Sequence, residues 1–291
     1  MKGSATETVA EKSGGKRPSR ASSGVKVKPL NKASFVTRLT LAAMLIVTVY
    51  AFVRFDDKEV TLWEGLVFTL ANFKTMFSEA RLEHFTFWHG LYQVMVTVGL
   101  ALLTTVFGAV ISLFLGLFAA HNLSSTPVSA AIKGFVAIIR AVPTVLWVLI
   151  FAVAAGLGSV AAVIGMTFHS VGYLIKAYAE SFEELDKGVL EAMRASGANW
   201  WQIVFQAVIP STITYIVSWT FLRFEINFGV AVAMGAAAGA GGIGYDMFMA
   251  SSFYYDLREV GAITLYVLIL AILLEMIAVR IKRNLNRSEV A

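Results

Sequence analysis

The sequence contains no cysteine and only 5 prolines among 291 residues. Without thiols the chain has no disulfide framework, no thiolate metal site and no cysteine nucleophile. Charge is also scarce, because Asp, Glu, Lys and Arg make up 15% of the residues, whereas soluble domains carry about 25%. This composition is not typical of a soluble domain.

Apolar residues are in excess: they make up 57% of the chain and give a mean hydropathy of +0.71. They are grouped into long continuous runs. Runs of this kind predict membrane-spanning helices, and the lack of a period-two alternation argues against a transmembrane barrel. The predicted fold class is therefore an all-α polytopic membrane protein.

The apolar runs predict six transmembrane helices. The run over residues 141–175 is too long for one span, and its glycines place a break at Gly156–Ser159. Pro143 is expected to kink the third span. The predicted spans are residues 35–53, a segment within 91–120, and residues 134–155, 160–180, 211–235 and 260–279.

The basic residues predict the topology. The net charge is +5, and the basic residues concentrate in residues 1–34 and after the last span, at Arg280, Lys282 and Arg283. Positive charge beside a span marks the cytoplasmic side, which explains these residues more simply than nucleic-acid binding does. Both termini are then cytoplasmic, which agrees with an even number of spans and places residues 181–210 inside the cell.

Four parts of the chain follow from these patterns. Residues 1–34 are too polar to bury a core and are predicted to be a disordered basic cytoplasmic tail. Residues 35–90 hold the first transmembrane helix and an outside loop that contains an amphipathic helix. Residues 91–283 form the transmembrane core, with the cytoplasmic loop 181–210, and residues 284–291 form a cytoplasmic tail.

The loop 181–210 carries the most informative motif. Ala192 and Ala195 are small and allow a partner surface to approach, while Glu191 and Arg194 are three residues apart on one helical face. Gly197 is expected to end this helix, and Pro210 to begin the fifth span. A polar helical loop between apolar spans suits a contact with a soluble partner. The predicted contact residues are Glu191, Ala192, Arg194, Ala195, Gly197 and Pro210.

The spacing of this loop resembles the EAA loop of bacterial ABC importer permeases, which reads Glu-Ala-Ala, three residues, Gly, nine residues, Ile-x-Leu-Pro. Met193 and Ala207 depart from that pattern, and Ile209 replaces its leucine. Other stretches resemble the phosphonate-transport permeases in particular. They are residues 140–143, 169–180, 223–227 and 239–244.

The resemblance implies a type I importer fold in which two permease copies, expected to be a homodimer, form the pathway in a bacterial cytoplasmic membrane. Two ATPase subunits inside would bind ATP and Mg, and a substrate-binding protein would deliver the cargo outside. The permease itself would hydrolyse nothing and would hold no cofactor or metal. The cargo implied is a phosphonate or a related phosphorus oxyanion. Another oxyanion or an amino acid, an ATP-independent secondary transporter or channel, and a structural membrane scaffold are the alternatives.

Polar residues in the spans predict the pathway. Arg223 and Asn227 are four residues apart on one face of the fifth span, and Glu225 points elsewhere. Ionisable groups at that depth face a pathway or a partner. We expect Arg223 and Asn227 to meet a passing oxyanion or to order the pore, and Glu225 to pair with a basic residue on another helix. A structural ion-pair network is the alternative.

Three further features have simpler interpretations. Arg140 is a candidate pathway residue, although it and Lys176 can equally snorkel to the interface. His169 is interpreted as a packing group. Residues 239–244 spell G-x-G-x-x-G, but no strand precedes them, so close packing of a turn is expected instead of nucleotide binding.

Overall fold

The computed structural model describes residues 32–54 and 61–288, and every regular element in these ranges is helical. The chain forms two units, one through Thr61 and one from Leu62 onward. The first unit contains α1 (Lys32–Val53). The helices of the second unit are α2 (Leu62–Ser78), α3 (Phe87–Ala119), α4 (Thr126–Ala141), α5 (Thr144–Ala155), α6 (Ser159–Glu183), α7 (Lys187–Ala195), α8 (Trp200–Ile203), α9 (Ile209–Ala238), α10 (Ile243–Ser252) and α11 (Leu257–Ser288).

Five helical segments are long and apolar enough to cross a membrane: Lys32–Val53, Phe87–Ala119, Ser159–Glu183, Trp200–Ala238 and Leu257–Ile281. The pair α4 and α5 makes a sixth if it is counted as one broken span. The predicted all-helical membrane fold is therefore confirmed. The first helix begins at Lys32, so residues 32–34 of the predicted tail 1–34 are helical. Residues 1–31 of that tail lie outside the described residues. The last helix continues to Ser288, so most of the predicted tail 284–291 is helical.

The third predicted span is not one helix. The axes of α4 and α5 differ by 92°, so Pro143 breaks the segment 134–155 instead of kinking it. Proline has no N–H to donate, and its ring forces the preceding residue out of the helical region. Val142 accordingly has φ −98° and ψ 125°. The indole Nε1 of Trp147 donates to the carbonyl of Ile139 at 2.9 Å, which satisfies one of the carbonyls at the end of α4.

The break between α5 and α6 lies where the glycines predicted it. Gly156 has φ +78° and Gly158 has φ +137°, which are conformations that residues with a side chain rarely adopt. The chain reverses here, and α5 packs back along α6. At Gly165 the two backbones approach so closely that a Cβ atom would lie 2.5 Å from the Cα of Val148.

The core forms where α3 packs along α6 and α9. Small residues on one face of α3 allow this approach, since a Cβ at Gly108 would lie 3.0 Å from the Cβ of Ser170, and one at Gly116 would lie 3.2 Å from that of Tyr178. Ser112 donates its hydroxyl to the carbonyl of Val171 across the interface at 3.2 Å. Close contacts between small residues hold helices together where lipid removes the hydrophobic driving force.

The glycine-rich turn after α9 brings α10 back onto α9. Gly239 has φ +61° and ends α9 in the left-handed region. A Cβ at Gly244 would lie 1.8 Å from the carbonyl oxygen of Val232, and one at Gly235 would lie 2.7 Å from that of Gly241. The turn therefore serves close packing, as predicted, although Gly239 acts as the helix cap and has no neighbour within 4 Å of such a Cβ.

We expect Gly165→Ala to destabilise the protein by about 1–3 kcal/mol, because the added methyl group overpacks the interface of α5 and α6. Gly134→Ala is the matched control: it lies in α4 with nothing within 4 Å of a Cβ, so the alanine should be neutral or stabilising. Thermal denaturation in detergent measures both. Equal melting temperatures for the two variants would contradict the close contact at Gly165.

Candidate functional site

The loop between α6 and α9 forms a short projecting helix followed by a turn. Asp186 caps α7 by accepting a hydrogen bond from the backbone N–H of Gly188 at 2.8 Å. Gly197, with φ +78°, reverses the chain after α7 as predicted. One side of α7 is anchored by the buried Leu190. The other side presents the exposed residues Glu191, Ala192, Arg194 and Ala195.

Side chains of this loop hold the turn between α3 and α4. Arg194 donates from Nη2 to the carbonyl of Asn122 at 2.8 Å, so it contacts this turn instead of pairing with Glu191 as its spacing suggested. Trp200 donates from Nε1 to the carbonyl of Leu123 at 2.9 Å, and its ring stacks on Phe118 with centroids 5.4 Å apart. A displacement of the loop therefore acts directly on α3 and α4.

The loop also continues into the longest helical segment. Asn199 and Gln202 form a reciprocal capping box at the start of α8. A π-helical turn, Val204–Val208, then joins α8 to α9, so that Trp200–Ala238 is one continuous segment. Pro210 lies in the first turn of α9 as predicted, but the chain does not separate there into two helices. In this turn the N–H of Ile209 donates to the carbonyl of Val204, which is the i→i+5 pattern of a π turn, and the helix continues.

Arg223 and Asn227 lie on the buried face of α9, against α6. Arg223 is 3% exposed and Asn227 is fully buried. Both contact Ser170 of α6: Nε of Arg223 donates to its Oγ at 3.0 Å, and Nδ2 of Asn227 lies 3.1 Å from the same atom. Asn227 also donates to Oγ1 of Thr105 on α3 at 2.9 Å. These two residues thus join the three central helices.

The charge of Arg223 has no carboxylate partner within the described ranges, 32–54 and 61–288. Its guanidinium carbon lies 5.2 Å from the centre of the Tyr173 ring, which offers a weaker compensation. Nη2 of Arg223 and Nδ1 of His169 are buried without a hydrogen-bond partner. Buried polar atoms are normally satisfied, so this region is a candidate ligand site. His169 is an electrostatic neighbour of both Arg223 and Arg140.

Among residues 32–54 and 61–288 Glu225 pairs with no basic residue, which contradicts the prediction for this side chain. Its side chain points away from the face of Arg223, and its ionisable neighbour is Glu275 on α11. The position of Glu275 depends on how α9 and α11 pack, which the spacing of residues along α9 does not reveal.

Arg140 and Lys176 lie beside a cavity of about 300 Å³ between α4 and α6, here called the α4–α6 cavity. Lys133, Glu180 and Glu183 also line it. Glu183 accepts a hydrogen bond from Nζ of Lys133 at 2.7 Å. Arg140 and Lys176 are both exposed. Their exposure is compatible with the prediction that they can snorkel to the membrane interface.

Two histidine–carboxylate pairs, which connect the start of α3 and the segment before it to α10 and α11, were not predicted from the sequence. His84 Nδ1 lies 2.7 Å from Oε2 of Glu259, and His89 Nε2 lies 3.1 Å from Oδ2 of Asp246. Burial raises the pKa of Asp246, and the neighbouring His89 opposes that rise. The partners are more than 150 residues apart in sequence, so no local spacing indicates them.

The ligand atoms of His84, Asp256 and Glu259 lie within 4.8 Å of one another. Glu259 is nevertheless fully occupied: Oε1 accepts from the backbone N–H groups of Glu83, His84 and Phe85 at 3.1, 2.8 and 3.3 Å, and Oε2 contacts His84. A cation would have to displace these bonds. We therefore interpret the cluster as a structural connection between α11 and the segment before α3.

Residues 112–289 match the model of a protein family described as binding-protein-dependent transport system inner membrane component. The chain is 32% identical over 178 residues to the phosphate-import permease protein PhnE of Mycolicibacterium smegmatis, a match covering 60% of this chain and 33% of that protein. It is 31% identical over 208 residues to the phosphite transport system permease protein PtxC of Stutzerimonas stutzeri, covering 71% of this chain and 75% of that one.

The fold is similar to that of a chain in the inward-facing MetNI methionine ABC transporter. The TM-score is 0.63 at 23% identity, and the match covers 70% of this chain and 99% of that chain. Because the family model spans more than half of the sequence, the chain belongs to the binding-protein-dependent transport system inner membrane components, the multi-pass, non-catalytic permease subunits of ABC importers.

Proposed function

We propose that this permease translocates a phosphonate or a related phosphorus oxyanion that a substrate-binding protein delivers. The observation that carries the proposal is Arg223, whose buried guanidinium has an unpaired Nη2 and no carboxylate partner among the described residues. The names of the two relatives, which refer to phosphate and phosphite, support the same class of cargo.

The chemistry of Arg223 favours an oxyanion. A guanidinium group presents several N–H donors in a plane and binds phosphate-type oxygens in a bidentate manner. An uncompensated charge inside a membrane protein is costly, and a passing anion would reduce that cost. Ser170, which is itself bonded to Asn227, accepts from Nε and leaves Nη2 available, so the group is oriented before the cargo arrives.

In the proposed route, Arg223 and Asn227 form the middle and Arg140 lies toward the end that carries α7. His169 interacts electrostatically with both arginines. Glu225 is on another face of α9, beside Glu275. We propose that this acidic pair repels an anion from the side of α11 and so confines it.

Permeases of this family work with ATPases and binding proteins. We propose that two ATPase subunits, which bind ATP and Mg, contact Glu191, Ala192, Arg194, Ala195 and Gly197 in each of two permease copies that form a homodimer. Both termini are then on the cytoplasmic side, with α7. Pro210 lies in the segment that connects α7 to Arg223, so movement of the loop reaches the proposed cargo site along one helix.

The cargo class is tested in proteoliposomes that contain the complex of this permease with its cognate ATPase and binding protein. We expect methylphosphonate, phosphite or phosphate to accumulate only when ATP is present. Methionine is the comparison cargo. Uptake of methionine without uptake of any phosphorus oxyanion would contradict the cargo and leave the importer class intact, whereas uptake without ATP would contradict the importer mechanism.

Arg223→Gln is expected to lower the initial rate of uptake by about tenfold or more, because a hydrogen bond to a charged group contributes about 1.5–3 kcal/mol and 1.4 kcal/mol corresponds to a factor of ten. Arg280→Gln is the control, since Arg280 is exposed at the far end of α11. Co-purification of the ATPase confirms assembly of both variants. Undiminished uptake in an assembled Arg223→Gln complex would remove Arg223 from the route.

A bulky residue on the exposed side of α7 tests the ATPase contact. Ala192→Trp should abolish co-purification of the ATPase and the stimulation of ATP hydrolysis by the binding protein, because the added ring occupies the surface where the partner docks. Folding should be unaffected, since Ala192 is exposed. Lys187→Ala, in the first turn of the same helix, is the control. If Ala192→Trp retained normal ATPase binding, the contact would lie elsewhere.

A further inference from the structure

The α4–α6 cavity collects more positive charge than its own carboxylates neutralise. Lys133 and Arg140 are seven residues apart, so they lie two turns apart on one face of α4, and Lys176 faces them from α6. The carboxylates are Glu180 and Glu183. Three cations and two anions leave one positive charge in excess.

The two carboxylates differ in how firmly they hold their partners. Glu183 accepts from the backbone N–H of His121 at 2.9 Å and from Lys133 at 2.7 Å, and it lies 2.8 Å from Nδ1 of His121. Glu180 lies 3.5 Å from Lys176, and both side chains are about half exposed, so that pair is weak. Within the described part of the chain, Arg140 has no ion pair.

The space between these groups is suited to a compact anion. The cavity of about 300 Å³ has room for about ten water-sized groups of ~30 Å³ each. Small side chains create this room, since Ala119, Ala137 and Ala179 line it. A tetrahedral anion has enough oxygens to contact two or three cations at once, whereas a carboxylate has only two.

We propose that the α4–α6 cavity is a binding site for a phosphate-type oxyanion, held by Arg140, Lys176 and Lys133. The site includes Arg140 of the proposed route but none of the residues that contact Arg223, and it does not depend on which cargo the permease carries. Two sources can supply this chemistry: free phosphate, or the headgroup of an anionic phospholipid, which basic pockets between membrane helices also bind.

The α4–α6 cavity is connected to α7 through Glu183. An anion that draws Lys133 away leaves Glu183 with only His121 as its partner. The next residue, Asn122, donates from Nδ2 to the carbonyl of Phe182 at 2.7 Å and accepts from Arg194 of α7 at 2.8 Å. Contacts through Lys133, Glu183 and the segment His121–Asn122 therefore connect the cavity to Arg194 of α7.

Binding is measured on the complex with its ATPase subunits in nanodiscs. Labelled inorganic phosphate is titrated into phosphatidylcholine nanodiscs at constant ionic strength, and retention of phosphatidylglycerol is measured by native mass spectrometry in nanodiscs that contain it. All measurements are repeated with Arg223→Gln, so that binding at the proposed cargo site is subtracted. We expect one of the two ligands to bind in a saturable manner in this background.

The double variant Lys133→Gln/Lys176→Gln should weaken that binding by about tenfold or more, and Lys187→Gln, outside the cavity, should leave it unchanged. Ala137→Leu fills the cavity without altering an ion pair and should also reduce binding, which keeps the test decisive if the double variant fails to assemble. Phosphate binding identifies the free anion, and phosphatidylglycerol retention identifies the lipid. Absence of both, or equal binding in Ala137→Leu and the native complex, would overturn the proposal.

Discussion

The buried charge of Arg223 is the constraint on which the rest of the bundle depends. A guanidinium group that is 3% exposed and has no carboxylate partner among the described residues must be held by neutral groups. Ser170 and the face of Tyr173 supply them. Ser170 also bonds Asn227, which in turn reaches Thr105. α3, α6 and α9 therefore have to pack at close range around this residue. The small residues Gly108 and Ser112 on α3 permit that distance, because they let α3 approach α6 without a bulky side chain between them.

A second consequence concerns how force reaches this charge. The segment from Trp200 to Ala238 has no break, and α7 precedes it in the chain. Both are joined to the turn before α4: Arg194 of α7 donates to the carbonyl of Asn122, and Trp200 donates to that of Leu123. Continuous helices transmit a displacement more directly than jointed ones, since a loop absorbs motion in its free dihedral angles. The π turn at Val204–Val208 is where this segment departs from α-helical geometry, and such turns occur frequently at functional sites.

Local signals in the sequence predicted those features that depend on backbone geometry. Gly197 and Gly156 end helices because other residues resist positive φ, and such effects need no knowledge of the fold. Pro143 was expected to kink its span, whereas it breaks the span into two helices. The pairing of side chains was predicted less well. Arg194 contacts a carbonyl 72 residues away instead of the nearby Glu191, and Glu225 faces Glu275 instead of a base. Each outcome is decided by which helices pack together, so residues far apart in sequence determine it.

Arg140 and Arg223 have no carboxylate partner among the described residues, and His169 interacts electrostatically with both. For stability alone, a neighbouring glutamate would be the simpler arrangement, since breaking a buried pair or leaving a charge unpaired is costly. Carboxylates are available nearby, yet Glu180 and Glu183 hold lysines and Glu225 turns toward another acid. An arginine already neutralised by a fixed carboxylate binds a mobile anion poorly, because the two anions compete for the same N–H donors. The arrangement therefore lowers stability but leaves the N–H donors of these arginines able to bind an anion. Both the proposed route and the α4–α6 cavity require this property.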